Sequence, residues 1–168
     1  MSERPSRAWV FGDDLDTDQM VPGRYAPFMV GAEKFHTYAF CDARPGFAKE
    51  VQQGDVLVGG GNFGCGSSRE YAPLALKKLG VGGIVAVNFA RIFFRNCVNL
   101  GIPVLELADA TRLVRDGDEV TLDLGAGVLR TPRGDAALRP LAPFAQEILS
   151  AGGVVAYLRE HGDFPAVS

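Results

Sequence analysis

Several things are scarce in this chain of 168 residues. No apolar run approaches the roughly 20 residues of a bilayer-spanning helix, so the membrane is not an expected partner. The first residues, MSERPSRAWVFGDD, hold no apolar core of the signal-peptide kind, which makes the cytoplasm the expected compartment. Basic blocks are missing too. Lys and Arg number 17 against 20 Asp and Glu, a net charge of −3, and nucleic acid is therefore not expected as a partner. The two histidines, His36 and His161, stand far apart, and a His-based triad has no support. Cys41, Cys65 and Cys97 are odd in number and widely spaced, which fits neither a disulfide framework nor a CxxC metal knuckle. No bound metal is expected on this chain.

What is present is the composition of a soluble globular protein, 47% hydrophobic and 22% charged, at a length suited to one domain over 1–168. RAWVFG (residues 7–12) alternates as a short strand. The Asp-, Gly- and Pro-rich DDLDTDQMVPGRYAPF then predicts an irregular loop. Residues 46–51 suit one or two helical turns, Gln53-Gly54-Asp55 a turn, and Val56–Val58 a strand. Tyr71, Leu74, Ala75 and Leu79 recur at helical spacing, with Ser67 or Ser68 as N-cap and Gly80 as the stop. Strand Ile84–Val87, helix Ala90–Leu100 and strand Pro103–Leu107 follow. The alternation predicts an α/β fold with a parallel, right-handed βαβ core. Additional β elements come later, as Glu119–Leu124 and Val128–Thr131 read as a hairpin. Pro143–Ser150 and Val154–Glu160 read as closing helices.

The densest signal is GGGNFGCGSSRE, residues 59–70. Glycine has the most backbone freedom to lose on folding, so such a concentration implies close approach to something. Gly59-x-Gly61-x-x-Gly64 matches the dinucleotide fingerprint literally, but the helix starts too late and Val87 is followed by Asn88 where an acid should meet the ribose. Gly61-x4-Gly66-Ser67-Ser68 has P-loop spacing, but Ser67 replaces the phosphate-binding lysine. In the third reading Ser67, Ser68 and Arg69 form the first turn of a helix at the C-terminal edge of the sheet. There the free N–H groups, two hydroxyls and a guanidinium would together hold a carboxylate. An ordinary serine cap beside a surface arginine stands as the plain alternative.

GCGSSREYAP, with DDLDTDQMVPGRY upstream and NFARIFFRNCVNLGIP downstream, resembles the small subunits of aconitase-like hydro-lyases. Within that group it is similar to the free-standing small subunits of 3-isopropylmalate dehydratase, of leucine biosynthesis, and homoaconitase, of lysine biosynthesis. The resemblance runs over roughly residues 8–107. It implies a swivelling β/β/α domain that caps a larger subunit, which carries a 4Fe–4S cluster on three cysteines. The pair would interconvert 2-hydroxy and 3-hydroxy di- or tricarboxylates by dehydration and rehydration. Carried over by position, Ser67 is the catalytic base and Asp18 an active-site aspartate, while Ser68 and Arg69 hold a substrate carboxylate.

The resemblance also places substrate contacts in the loop after the Asp motif, at Arg24, Tyr25 and Pro27. Citrate-using relatives carry a further arginine there, whereas Tyr25–Val30 is uncharged here. An apolar loop suits an isopropyl group, because a buried unpaired carboxylate is costly. Homoaconitase is the competing expectation, with Arg24 or a residue of the partner subunit meeting the longer acid's carboxylate. A non-catalytic organic-acid-binding module is the alternative from a different class.

Overall fold

The computed structural model describes residues 5–67 and 69–165; Ser68, expected at the site, lies outside them. The strands are β1 (Ser6–Val10), β2 (Val56–Gly59), β3 (Gly83–Ala86), β4 (Val104–Glu106), β5 (Glu119–Asp123), β6 (Val128–Thr131) and β7 (Gly134–Ala137). The helices are α1 (Thr17–Met20), α2 (Pro27–Val30), α3 (Phe47–Glu50), α4 (Tyr71–Lys78), α5 (Arg91–Leu100), α6 (Ala110–Leu113), α7 (Pro143–Ala151) and α8 (Val154–His161).

They form one seven-stranded sheet in the order β4-β3-β2-β1-β5-β6-β7. The pairs β1–β2, β2–β3 and β3–β4 are parallel, with α4 and α5 as crossovers, as the alternation predicts. Both crossovers stop at glycines in the left-handed conformation, Gly80 (φ 83°) and Gly101 (φ 83°). At the end of α4 the Val81 and Gly80 amides donate to Leu76 and Lys77, which satisfies the last carbonyls. From β1 outwards the sheet turns antiparallel through β5, β6 and β7.

The sheet also curls. In a flat sheet, β3 and β5 would lie three strand spacings apart, about 14 Å. Yet a Cβ on Gly83 in β3 would collide with the Leu122 side chain of β5. Leu122 and Leu129 accordingly share one buried cluster with Val56, Val58 and Val85. The other face of the parallel strands buries Trp9, Leu57 and Ile84 against Phe93 and Cys97 of α5 and Ile148 of α7. Two β layers and a helical layer result, the β/β/α arrangement that the resemblance implies.

Local departures from the pattern have local causes. β7 reads GDAA, with no β-branched or aromatic residue, and it is held as an edge strand by its register with β6 and the Arg130–Asp135 pair at 2.9 Å. α6 is one turn, too short for a period to register. The Asp-rich segment is not structureless. It holds single turns over Thr17–Met20, Gly23–Tyr25, Pro27–Val30 and Phe35–Tyr38. Among the described residues no helix is long and apolar enough to cross a membrane.

Candidate active site

The C-terminal ends of β1, β2 and β3 deliver three loops to one edge of the sheet, where ligands collect in α/β proteins. The glycine loop leaves β2 and runs between the other two. On one side the Gly64 amide donates to Leu15 O (2.7 Å), and Thr17 N donates to Cys65 O (3.0 Å). On the other, Phe63 N donates to Asn88 O (3.1 Å) and Ala90 N to Phe63 O (2.9 Å). The Asp13 carboxylate Oδ1 and the Asn88 side-chain Oδ1 accept from Gly61 N (2.8 Å) and Asn62 N (2.6 Å).

The glycines answer to the protein's own packing. A Cβ on Gly60 would overlap the Asp13 carboxylate. One on Gly64, which is left-handed (φ 83°), would enter the Phe93 ring of α5. Gly61 is the roomier position, with its nearest neighbour 3.8 Å away.

This packing places Ser67. Its carbonyl accepts from Thr17 Oγ1 (2.9 Å), a side chain only 3% exposed. Its Oγ accepts from Arg69 Nε (2.9 Å). The Arg69 Nη1 donates to Asp18 Oδ1 (2.9 Å) and to Tyr71 OH (3.0 Å). Asp18 Oδ1 also accepts from Gly23 N (3.1 Å). Ser67, Arg69 and Asp18 thus converge from positions up to 51 residues apart. Asp18 is free for this because Asp16 does the capping. The Asp16 side chain accepts from Gln19 N (2.8 Å) and Gln19 Oε1 accepts from Asp16 N (2.9 Å), a capping box that sets the first turn of α1.

One expectation needs correcting. Helix α4 begins at Tyr71 with Glu70 at its N-cap and no side-chain cap, so Ser67 and Arg69 precede it. The Ser67 hydroxyl is engaged by Arg69 instead of a helical N–H. The helix that opens onto the site is α5, whose first turn lines a cavity of about 210 Å³ together with Thr17, Gly66, Ser67 and Arg69. No side chain caps α5, and the N–H groups of Arg91, Ile92 and Phe93 have no intrahelical acceptor. Arg91 and Asn96 also line this cavity. Thr17, Tyr71 and Arg91 all sit inside the three recognisable motifs, but spacing gave no reason to single them out.

Arg24, expected at the substrate, is paired within the lone chain. Its Nη2 donates to both oxygens of Asp42 (2.7 and 2.5 Å), and its guanidinium lies 4.7 Å from the Tyr25 ring centre. The hydrogen bond to Asp42 raises its pKa further above the ordinary arginine value. Tyr25 stacks flat on Tyr38, with ring centres 4.1 Å apart. Pro27 opens α2, whose Phe28 and Met29 are 82% and 61% exposed. None of Arg24, Tyr25 and Pro27 lines the Ser67 cavity. Gly23, just before them, does lie against Arg69.

Burial pushes the Cys97 thiol well up, and burial followed by Asp16 and Asp14 raises that of Cys65. Among the described residues no three His, Cys, Asp or Glu side chains are grouped to hold a metal ion.

A curled β/β/α domain with a serine and an arginine on a glycine loop, met by an aspartate from α1, is the small-subunit type of the aconitase-like hydro-lyases. The chain belongs to the aconitase C-terminal domain family, whose model matches residues 17–110. It is 56% identical to the homoaconitase small subunit of Thermus thermophilus, over 95% of this chain and 98% of that one. Identity is 54% to 3-isopropylmalate dehydratase small subunit 1 of Deinococcus radiodurans, over 95% and 89%. Among solved structures, a crystal structure of 3-isopropylmalate dehydratase (leuD) from Methanocaldococcus jannaschii superposes with a TM-score of 0.84 at 36% identity, covering 94% of each chain. The family and the fold expected from the three motifs are thereby borne out.

Proposed function

We propose that this chain, as one domain, is the small subunit of a two-subunit cytoplasmic hydro-lyase that converts 2-hydroxy to 3-hydroxy acids, with 3-isopropylmalate as substrate. The observation that carries the reading is the hydrogen bond from Arg69 Nε to Ser67 Oγ at 2.9 Å, backed by Asp18. A serine hydroxyl is a weak base in water. A cationic donor on its oxygen favours the alkoxide, and the first-turn N–H groups of α5 add positive potential across the cavity. Ser67 then takes the proton from the carbon beside a carboxylate while hydroxide leaves the neighbouring carbon. Rehydration returns a proton and a hydroxide with the two carbons exchanged.

Arg69 and Ser68 hold the carboxylate next to the reacting carbon, and Asp18 holds Arg69 in place. Ser67 is exposed in the lone chain, so water must be excluded by a larger partner. The iron–sulfur cluster belongs to that partner in this proposal and supplies a Lewis acid to the departing hydroxyl. The loop from Arg24 through Pro27 stands outside the Ser67 cavity in the lone chain and in this proposal meets the substrate's substituent only once the larger partner covers the site. With Arg24 matched by Asp42, it offers no unpaired charge to a third carboxylate, which supports an alkyl group there.

Reconstitution with a cluster-bearing large subunit tests the proposal. The pair is expected to turn over 3-isopropylmalate and each chain alone is not. Turnover by this chain without a partner, or by neither chain nor pair on any hydroxy diacid, would overturn it.

A further inference from the structure

Arg69 is nearly spent inside the protein. Its Nε is taken by Ser67 and its Nη1 by Asp18 and Tyr71, which leaves Nη2 to meet a ligand. The ion pair with Asp18 also brings the charge of the cluster to zero. Arg24 is closed in the same way by Asp42. A diacid of charge −2 therefore meets too little positive charge on this side of the site.

The second wall of the cavity supplies what is missing. Arg91, the first residue of α5, lines it and has no Asp or Glu oxygen within 4 Å among the described residues, unlike Arg69 and Arg24. Its position is set by contacts that hold α5 on the glycine loop. Ala90 N donates to Phe63 O (2.9 Å), and the Phe93 ring fills the space left by the missing side chain of Gly64. The uncapped first turn of α5 and Asn96 line the same cavity.

We infer that Arg91 binds the second carboxylate of the substrate, across the cavity from Arg69. This deepens the proposed function and rests on it. Arginine suits the role because its planar fork can meet both oxygens of a carboxylate while its charge stays fixed at all relevant pH values. Between them, Arg69 and Arg91 would recognise a diacid by its two ends and reject a monoacid.

The test uses the reconstituted pair, with Arg91→Ala and, as control, Arg95→Ala. Arg95 lies one turn along α5, is also without a carboxylate partner among the described residues, and lines a separate surface pocket instead of this cavity. Calorimetry would measure binding of isopropylsuccinate, an unreactive diacid, and of its monomethyl ester. The unaltered pair is expected to prefer the diacid at least tenfold. In Arg91→Ala that preference should collapse to within about threefold, with KM raised roughly tenfold to a hundredfold, while Arg95→Ala keeps both values. Unchanged preference in Arg91→Ala, in a pair that still turns over the substrate, would overturn the inference and leave the proposed function standing. Weakened assembly of the Arg91→Ala pair with diacid preference intact would also overturn it, since Arg91 would then be a docking residue. Failure of the unaltered pair to act on any hydroxy diacid would strike the proposed function instead.

Discussion

Two loops border the candidate active site, and they are built in opposite ways. The glycine loop is tied to a neighbour on each side by backbone hydrogen bonds, and at Gly60 and Gly64 there is no volume for a side chain. The loop from Arg24 to Tyr38 is a series of single turns pinned near its ends. Val21 and Phe35 are buried with Ala75 beneath it, while Phe28 and Met29 project into solvent. A proton transfer needs its base placed to within a fraction of an ångström, so the loop that carries Ser67 has lost its freedom. A surface that chooses among substituents needs only a shape, and an exposed apolar tip can be replaced without disturbing the base.

The largest break should come from Ser67→Ala. Loss of a general base costs about 10²–10⁴-fold, so kcat of the reconstituted pair should fall by that order while the subunits still co-elute. Normal turnover would remove Ser67 from the reaction. Gly64→Ala tests the rigidity itself. The left-handed backbone costs about 1–2 kcal/mol and overpacking against Phe93 about 1–3 kcal/mol, so urea denaturation should register a loss of roughly 2–5 kcal/mol. Gly61→Ala, with its open surroundings, should stay within about 0.5 kcal/mol. Equal effects at the two glycines would contradict the packing account.

Asp18→Asn keeps an acceptor for Arg69 but removes the charge. A charge-assisted hydrogen bond is worth about 1.5–3 kcal/mol, so kcat/KM should drop about tenfold to a hundredfold without loss of fold. On the open loop, Phe28→Ser should change stability by less than about 0.5 kcal/mol. Its effect belongs in the ratio of KM for 3-isopropylmalate to KM for homocitrate, and an unchanged ratio would detach this loop from substrate choice.

The smallest effect is expected where the open loop rejoins the core. Arg44 donates to both oxygens of Asp116, which lowers the Asp116 pKa, and Asp116 also accepts from Val10 N. A lowered folded-state value means that the contribution is complete above the unfolded value of about 4 and is lost as pH falls through the folded one. Arg44→Gln should therefore lower stability slightly at pH 7, by about 0.2–1 kcal/mol for this partly exposed pair, and flatten the fall below about pH 4, so that the two proteins converge in acid.

Much of the central fold is legible in the chain. The strand–helix alternation over 55–107 follows from apolar periodicity, and Gly80 and Gly101 end their helices as their left-handed backbone requires. The family could be read because three motifs occur in one order. β7 and α6 escaped, one carrying no strand-forming residue and the other spanning a single turn. The start of α4 was misplaced because a capping serine and a serine held by an arginine two residues on look alike in sequence. Similarly, DTDQ contains two aspartates in nearly equivalent surroundings, and their division into a capping Asp16 and an active-site Asp18 depends on where Arg69 arrives.

Local order therefore left its mark on the chain, since periodicity, caps and glycine stops act between residues a few positions apart. Long-range pairings left none. That Asp18 meets Arg69, that Arg24 is closed by Asp42, and that α5 presents Arg91 beside Ser67 were settled by the curl and stacking of the folded chain. Electrostatic and hydrogen-bonded partners are chosen by distance in space, and a string of residues does not carry that distance until the core has closed.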